Sequence, residues 1–231
     1  MDNPIITVNN LNKYYGKKQI LKNISFTVNP GDCVAVVGAN GCGKSTLLKL
    51  LTGTDTKRDG TITILGKDIS ENKNYISRHV GYIPQENPLF ENLTVIDNLR
   101  LWYGDSSLLL DKELSDGKLG FFGLGQYKKY KVSKLSGGMK KRLSIACAIA
   151  HDPEILVLDE PGASLDLVCK QDIRNFLSEY NKTGGTIIIT SHEQYELSLC
   201  NRMFLIKNSM LNEIPPVEDT ELMELIKPSH N

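Results

Sequence analysis

The eight residues Gly38-Ala39-Asn40-Gly41-Cys42-Gly43-Lys44-Ser45 constrain this chain more than any other segment. They follow an apolar run, Cys33-Val34-Ala35-Val36-Val37, that reads as a buried strand. They precede Thr46-Leu47-Leu48-Lys49-Leu50-Leu51, which reads as a helix. Strand, glycine loop, Lys-Ser and helix make the context that the phosphate-loop pattern G-x-x-x-x-G-K-[ST] requires. The glycines let backbone N–H groups close around a polyphosphate without Cβ clashes. The helix opening near Lys44 adds its positive dipole end. Lys44 supplies a point charge for the β- and γ-phosphates, and the Ser45 hydroxyl suits Mg²⁺. The loop alone predicts binding of a nucleoside triphosphate, an ability shared by kinases, GTPases, helicases and transporters.

The rest of the chain narrows the setting. Its 231 residues suffice for one large α/β domain, with or without a small inserted subdomain. Lys+Arg 27 balances Asp+Glu 27, which argues against a strongly basic nucleic-acid binder, so no nucleic-acid partner is expected. No apolar run approaches the roughly 18–20 residues that span a bilayer. Met1-Asp2-Asn3-Pro4 lacks the features of a signal peptide. A cytosolic chain is therefore expected, with any membrane link made through a partner. The five cysteines form no C-x-x-C pair and read as reduced core thiols. Cys42 is the exception by position, and a bulky reagent on it is expected to block nucleotide binding.

Along the chain, Ile5 to Val8 reads as a strand, and Ile24 to Val28 alternates like a half-exposed antiparallel strand. Thr61 to Leu65 and Val80 to Pro84 read as further strands. Helical patterning then takes over: a helix opens at Thr94 and runs to Trp102, and shorter ones are expected over Leu108–Leu114 and Lys118–Tyr127. The stretch from about 86 to 134 is read as an inserted helical subdomain. Ile155-Leu156-Val157-Leu158 and Thr186-Ile187-Ile188-Ile189-Thr190 are fully apolar short strands of the kind found in a covered parallel sheet. Met203 to Ile206 reads as the last strand, and residues from about 207 to 231 as a short C-terminal tail holding a helix over 217–226.

Two more segments carry chemistry. Asp159-Glu160 stands at the end of a buried strand, where ligands of open α/β sheets sit. Asp159 is suited to Mg²⁺ and Glu160 to polarising a water. Leu135-Ser136-Gly137-Gly138 opens a helix, with Ser136 a natural N-cap and the exposed N–H groups a second anion site.

The run Leu135-Ser136-Gly137-Gly138, lying between a phosphate loop and an Asp-Glu strand, resembles the signature of the ATP-binding cassette (ABC) ATPases. Nearly the whole chain, about Ile5 to Ile206, resembles that nucleotide-binding subunit, and the elements occur in the family's order. Tyr15 is similar to the aromatic residue that stacks on adenine. Gln85 is similar to the Q-loop glutamine, a ligand of Mg²⁺ and a sensor of nucleotide. Ala163-Ser164-Leu165-Asp166 looks like the D-loop, and His192 like the switch histidine. The signature carries Met139 where the family usually has Gln, and the small residues of the D-loop are swapped. The Gly-Gly-Met-Lys-Lys-Arg-Leu form resembles the branch that powers drug, lipid or polysaccharide exporters with separate membrane subunits.

The resemblance implies one α/β domain over 1–231: a phosphate-loop NTPase core of the ABC ATPase type, with an antiparallel β subdomain and the inserted α-helical subdomain. It implies ATP and Mg²⁺ as ligands and a head-to-tail dimer, homomeric or heteromeric, bound to transmembrane permease subunits at the inner face of the cell membrane. Tyr15, Gly38, Asn40, Gly41, Cys42, Gly43, Lys44, Ser45 and Thr46 would bind nucleotide in one subunit, and Ser136, Gly137 and Gly138 in the other. Ser45, Gln85 and Asp159 would hold the metal, with Glu160, His192, Lys44 and Gln85 acting in hydrolysis. A soluble cassette ATPase uncoupled from transport is the alternative. A kinase or GTPase gives the Leu-Ser-Gly-Gly run no role, and intact Glu160 and His192 argue against a non-hydrolysing subunit.

Overall fold

The computed structural model describes residues 3–57, 59–104, 110–115, 117–217 and 219–226. The chain opens with two antiparallel strands, β1 (Ile6–Tyr15) and β2 (Lys18–Val28), joined through Gly16 and Lys17. β3 (Cys33–Val37) runs into the phosphate loop, and α1 (Lys44–Leu51) starts at its lysine. β4 (Asp59–Ile64) and the short β5 (Lys67–Asp68) return to the first sheet. α2 (Lys73–His79) leads to β6 (Val80–Ile83). α3 (Val95–Tyr103) and α4 (Leu110–Ser115) follow, then α5 (Gly137–Ala148) from the Leu-Ser-Gly-Gly run. The remainder alternates: β7 (Ile155–Asp159), α6 (Leu167–Lys182), β8 (Thr186–Thr190), α7 (Gln194–Leu197), β9 (Arg202–Lys207), β10 (Met210–Ile214) and α8 (Asp219–Ile226).

Among the described residues the strands form two sheets. One is four-stranded and antiparallel, in the order β2-β1-β4-β5. The other is six-stranded, in the order β10-β9-β3-β8-β7-β6, parallel except for β10 at its edge. β3, β7 and β8 are buried at every position, which is why they read as unbroken apolar runs. The strand period of two then divides their side chains between two cores. Val34, Val36, Val157 and Ile188 face the antiparallel sheet and the leucines of α1, Leu47, Leu48, Leu50 and Leu51. Cys33, Ala35, Val37, Leu156, Leu158 and Ile189 face the other way, onto Leu99 of α3, Leu143 and Ile145 of α5, and Ile173 and Leu177 of α6.

Two sequence expectations change, and a third is met over its described part. Lys118–Tyr127 is not an α-helix. It forms 3₁₀ turns at Gly120–Phe122 and Gly125–Tyr127, because its glycines lower the cost of tight turns and remove the side chains that would hold a longer helix. The tail is partly sheet: β10 pairs antiparallel with β9 from Met210↔Lys207 to Ile214↔Met203. Of the helix expected over Leu108–Leu114, Leu108 and Leu109 lie outside the described residues, and Leu110 to Leu114 are helical. Among the described residues no helix is long and apolar enough to cross a membrane.

Candidate nucleotide site

The order of the strands decides which side chains meet. β3, β8, β7 and β6 are parallel neighbours in that sequence, so their carboxyl ends lie side by side. The segments leaving those ends carry Lys44, His192, Glu160 and Gln85 respectively. The side chains touch in the same order. Lys44 Nζ lies 3.1 Å from His192 Nε2, His192 Nε2 lies 3.6 Å from Glu160 Oε1, and Gln85 Nε2 donates to Glu160 Oε2 at 3.2 Å. Residues 148 positions apart thus become neighbours through sheet topology alone.

The phosphate loop is built as its glycines require. Gly38 has φ +152, and a Cβ there would sit 2.6 Å from Ile206 O and 2.7 Å from Cys42 Sγ. Gly43 caps α1 in the left-handed region at φ 115. Lys44 is buried at 6% exposure and folds back to donate to Gly38 O at 2.8 Å. Tyr15, Asn40, Gly41, Gly43, Lys44, Ser45, Thr46, Gln85 and Glu160 line one cleft of about 460 Å³, with Ile20 beside them. Cys42 is half-buried and packs with Ile20 toward the apolar core, and burial raises its thiol pKa despite the nearby Lys44. Cys42 is not part of the cleft lining.

β7 ends in Asp159, whose Oδ1 accepts from Thr190 Oγ1 at 2.7 Å across the β7–β8 pairing. Glu160 then turns into the left-handed region at φ 47, with its N–H shared between Thr190 O at 3.0 Å and Thr190 Oγ1 at 3.1 Å. A non-glycine residue held there is strained, and such strain gathers at functional positions. The turn swings the Glu160 side chain off the strand and toward Gln85. His192 has its pKa lowered, first by burial and then by Lys44, with Glu160 opposing. The imidazole is therefore neutral near pH 7, as a group accepting a hydrogen bond from Lys44 must be.

The signature residues lie elsewhere in the chain. Ser136 caps α5 by accepting from Met139 N at 3.3 Å, as its sequence position predicts. Ser136 and Gly137 are exposed, and Gly138 rests against Cys169 of α6. None of the three lines the cleft that holds Lys44 and Glu160. In Ala163-Ser164-Leu165-Asp166, Ser164 is left-handed at φ 61, and Asp166 caps α6 by accepting from Cys169 N at 2.8 Å.

Sequence reasoning missed three supporting residues. Lys141, on α5, is 3% exposed and donates to Pro84 O and Gln85 O, each at 3.1 Å. Burial lowers its pKa, and the nearby Asp159 and Glu196 carboxylates counter that. Lys141 stands between Lys140 and Arg142 in the sequence, so nothing local set it apart. Thr190, a buried polar strand end, is the second. The third, Asp55, accepts from Tyr15 Oη at 2.6 Å and carried no local signal.

Comparison with known proteins gives the family and the fold. Residues 21–163 match a family described as ABC transporter. The chain is 35% identical over 87% of its length to the linearmycin resistance ATP-binding protein LnrL of Bacillus subtilis (strain 168). It is also 35% identical over 91% of its length to the spermidine/putrescine import ATP-binding protein PotA of Bacteroides fragilis (strain YCH46). The chain spans 66% and 46% of those two proteins' lengths, less than two thirds of either. A solved ATP-binding subunit of an ABC transporter superposes with a TM-score of 0.85 at 26% identity, covering 96% of this chain and 99% of that one.

Proposed function

From the premise that this chain belongs to the ABC transporter family, we propose that it is an ATP-binding subunit that hydrolyses ATP to drive transport through separate permease subunits. The observation that carries this reading is the line of contacts Lys44–His192–Glu160–Gln85, of which Lys44, Glu160 and Gln85 border the cleft and His192 stands behind them. It joins a phosphate cradle to a carboxylate and to a residue that senses it.

In this reading Lys44 moves from Gly38 O to the β- and γ-phosphates, and the loop N–H groups hold their oxygens. Tyr15 stacks on the base. Glu160 orients the attacking water and takes its proton. His192 contacts the γ-phosphate, and Gln85 keeps Glu160 in place. The donors at hand fit magnesium: the Ser45 hydroxyl, the Asp159 carboxylate steadied by Thr190, and the Gln85 amide oxygen are hard oxygen ligands. Bound there, the ion would neutralise charge across the β- and γ-phosphates.

Ser136, Gly137 and Gly138 would complete the site from a second subunit, homomeric or heteromeric, which accounts for their absence from the cleft of their own chain. ATP then favours the closed dimer and hydrolysis releases it. Lys141 ties the signature helix to the backbone of Gln85, so closure at one is felt at the other. Export is the direction favoured by the Gly-Gly-Met form of the signature. The importer among the relatives makes direction a matter for a flux assay. The test of the coupled reading is to isolate the tagged chain from detergent-solubilised membranes. A multi-spanning protein in stable ratio, with ATP turnover altered by its presence, is expected. Recovery from the soluble fraction alone would replace the transporter reading with a free cassette ATPase.

A further inference from the structure

A half-exposed aromatic ring at the end of a strand is free to swing unless something holds it. Tyr15 is 50% exposed, yet its hydroxyl donates to Asp55 Oδ2 at 2.6 Å. Asp55 is itself held. Its Oδ1 accepts from Lys13 Nζ at 2.6 Å and from Thr56 N at 2.6 Å. Lys13, 6% exposed, donates also to Thr56 O at 2.7 Å and places its ammonium 4.7 Å from the centroid of the Tyr15 ring. The backbone of Asp55 is fixed by Thr54 N and Asp55 N, which donate to Lys49 O at 3.0 and 3.1 Å in the last turn of α1. The chain of contacts thus runs from the end of β1 to the end of the helix that begins at Lys44.

We infer that Asp55 and Lys13 are positioning residues that fix the Tyr15 ring for a nucleotide base, and so make the cleft prefer a nucleoside triphosphate to a bare polyphosphate. The inference rests on the ATP-binding reading of this cleft. Lys13 approaches the ring closely, and the ring also borders the cleft beside Ile20 and Thr46. A ring held against a cation and still open to the cleft is set for stacking without first losing rotational freedom. The hydroxyl–carboxylate bond is charge-assisted and spans 40 positions of sequence, so it also sets the distance between base and phosphate subsites. A role confined to stapling β1 to α1 would affect all ligands of the cleft alike.

The test compares binding of Mg-ATP and Mg-tripolyphosphate by titration calorimetry in the unmodified chain, Asp55→Ala, Tyr15→Phe and the double variant. Tyr15→Phe keeps the ring and removes only the hydroxyl. Each single variant is expected to bind ATP roughly three- to tenfold more weakly, with tripolyphosphate changed by less than about twofold. The double variant is expected to be no weaker than Asp55→Ala alone. If the unmodified chain prefers ATP and both single variants keep that preference, the positioning role is wrong while base stacking stands. Equal loss of both ligands would assign Asp55 to folding and overturn the inference. An unmodified chain that binds both ligands equally would remove the stacking role of Tyr15, and the inference with it.

Discussion

Glu160 combines a strained backbone with a carboxylate that accepts from Gln85 and lies 3.6 Å from His192. Replacing it with Gln preserves the shape and removes the basicity. Glu160→Gln is expected to bind ATP normally and to lose turnover by about 10²–10⁴-fold, the range for a removed general base. Single-turnover measurement with labelled ATP checks this, and near-normal turnover would exclude Glu160 from proton transfer. His192 gives a pH prediction of definite sign. Burial and Lys44 lower its folded pKa below the ordinary 6.5, so the folded chain binds fewer protons there than the unfolded one. Its contribution to stability is present above pH 6.5 and is lost as pH falls below that value. The melting temperature of His192→Gln is therefore expected to fall less between pH 7.5 and 5.5 than that of the unmodified chain. Identical slopes would show that His192 is not desolvated in solution.

At the scale of elements, α3 and α5 both begin with a side-chain cap that the sequence advertises. Thr94 Oγ1 accepts from Asp97 N at 3.2 Å and donates to Asp97 Oδ2 at 2.5 Å. Thr94→Ala is expected to cost about 1 kcal/mol, or about 2–4 °C in melting temperature for a chain of this size. Lys141→Met leaves two part-buried carbonyls, those of Pro84 and Gln85, without their charged donor. A loss of about 1–3 kcal/mol is expected, with lower turnover and retained ATP binding. Unchanged turnover would detach the signature helix from the Q-loop. The strands of the parallel sheet were legible because burial on both faces leaves apolar runs. The phosphate loop was legible because its residues are contiguous. α6 was overlooked although Asp166 caps it and Cys169, Ile173 and Leu177 recur at helical spacing. The 3₁₀ turns after α4 were misread because apolar residues among glycines satisfy a helical period without a helix. Lys13–Asp55 and Lys141–Gln85 were invisible, since each joins segments that only the tertiary fold brings together.

At the scale of the molecule, a chain that separates Lys44 from Ser136 must either hold two independent anion sites or share one site with a second chain. Complementation separates the two cases. Lys44→Ala damages the cradle, and Ser136→Arg places a long cation at an exposed helix cap. In a head-to-tail dimer, each variant alone has two defective sites. A mixed dimer has one site in which both defects fall together and one in which neither falls, since the intact Lys44 of one chain meets the intact Ser136 of the other. Introducing Glu160→Gln into both variants slows hydrolysis and lets the ATP-bound assembly accumulate. Each variant alone is then expected to elute as a monomer with ATP, and an equal mixture to show an ATP-dependent dimer fraction by size-exclusion chromatography with light scattering. If the sites act within single chains, mixing cannot repair either one, and the mixture will remain the sum of two monomers.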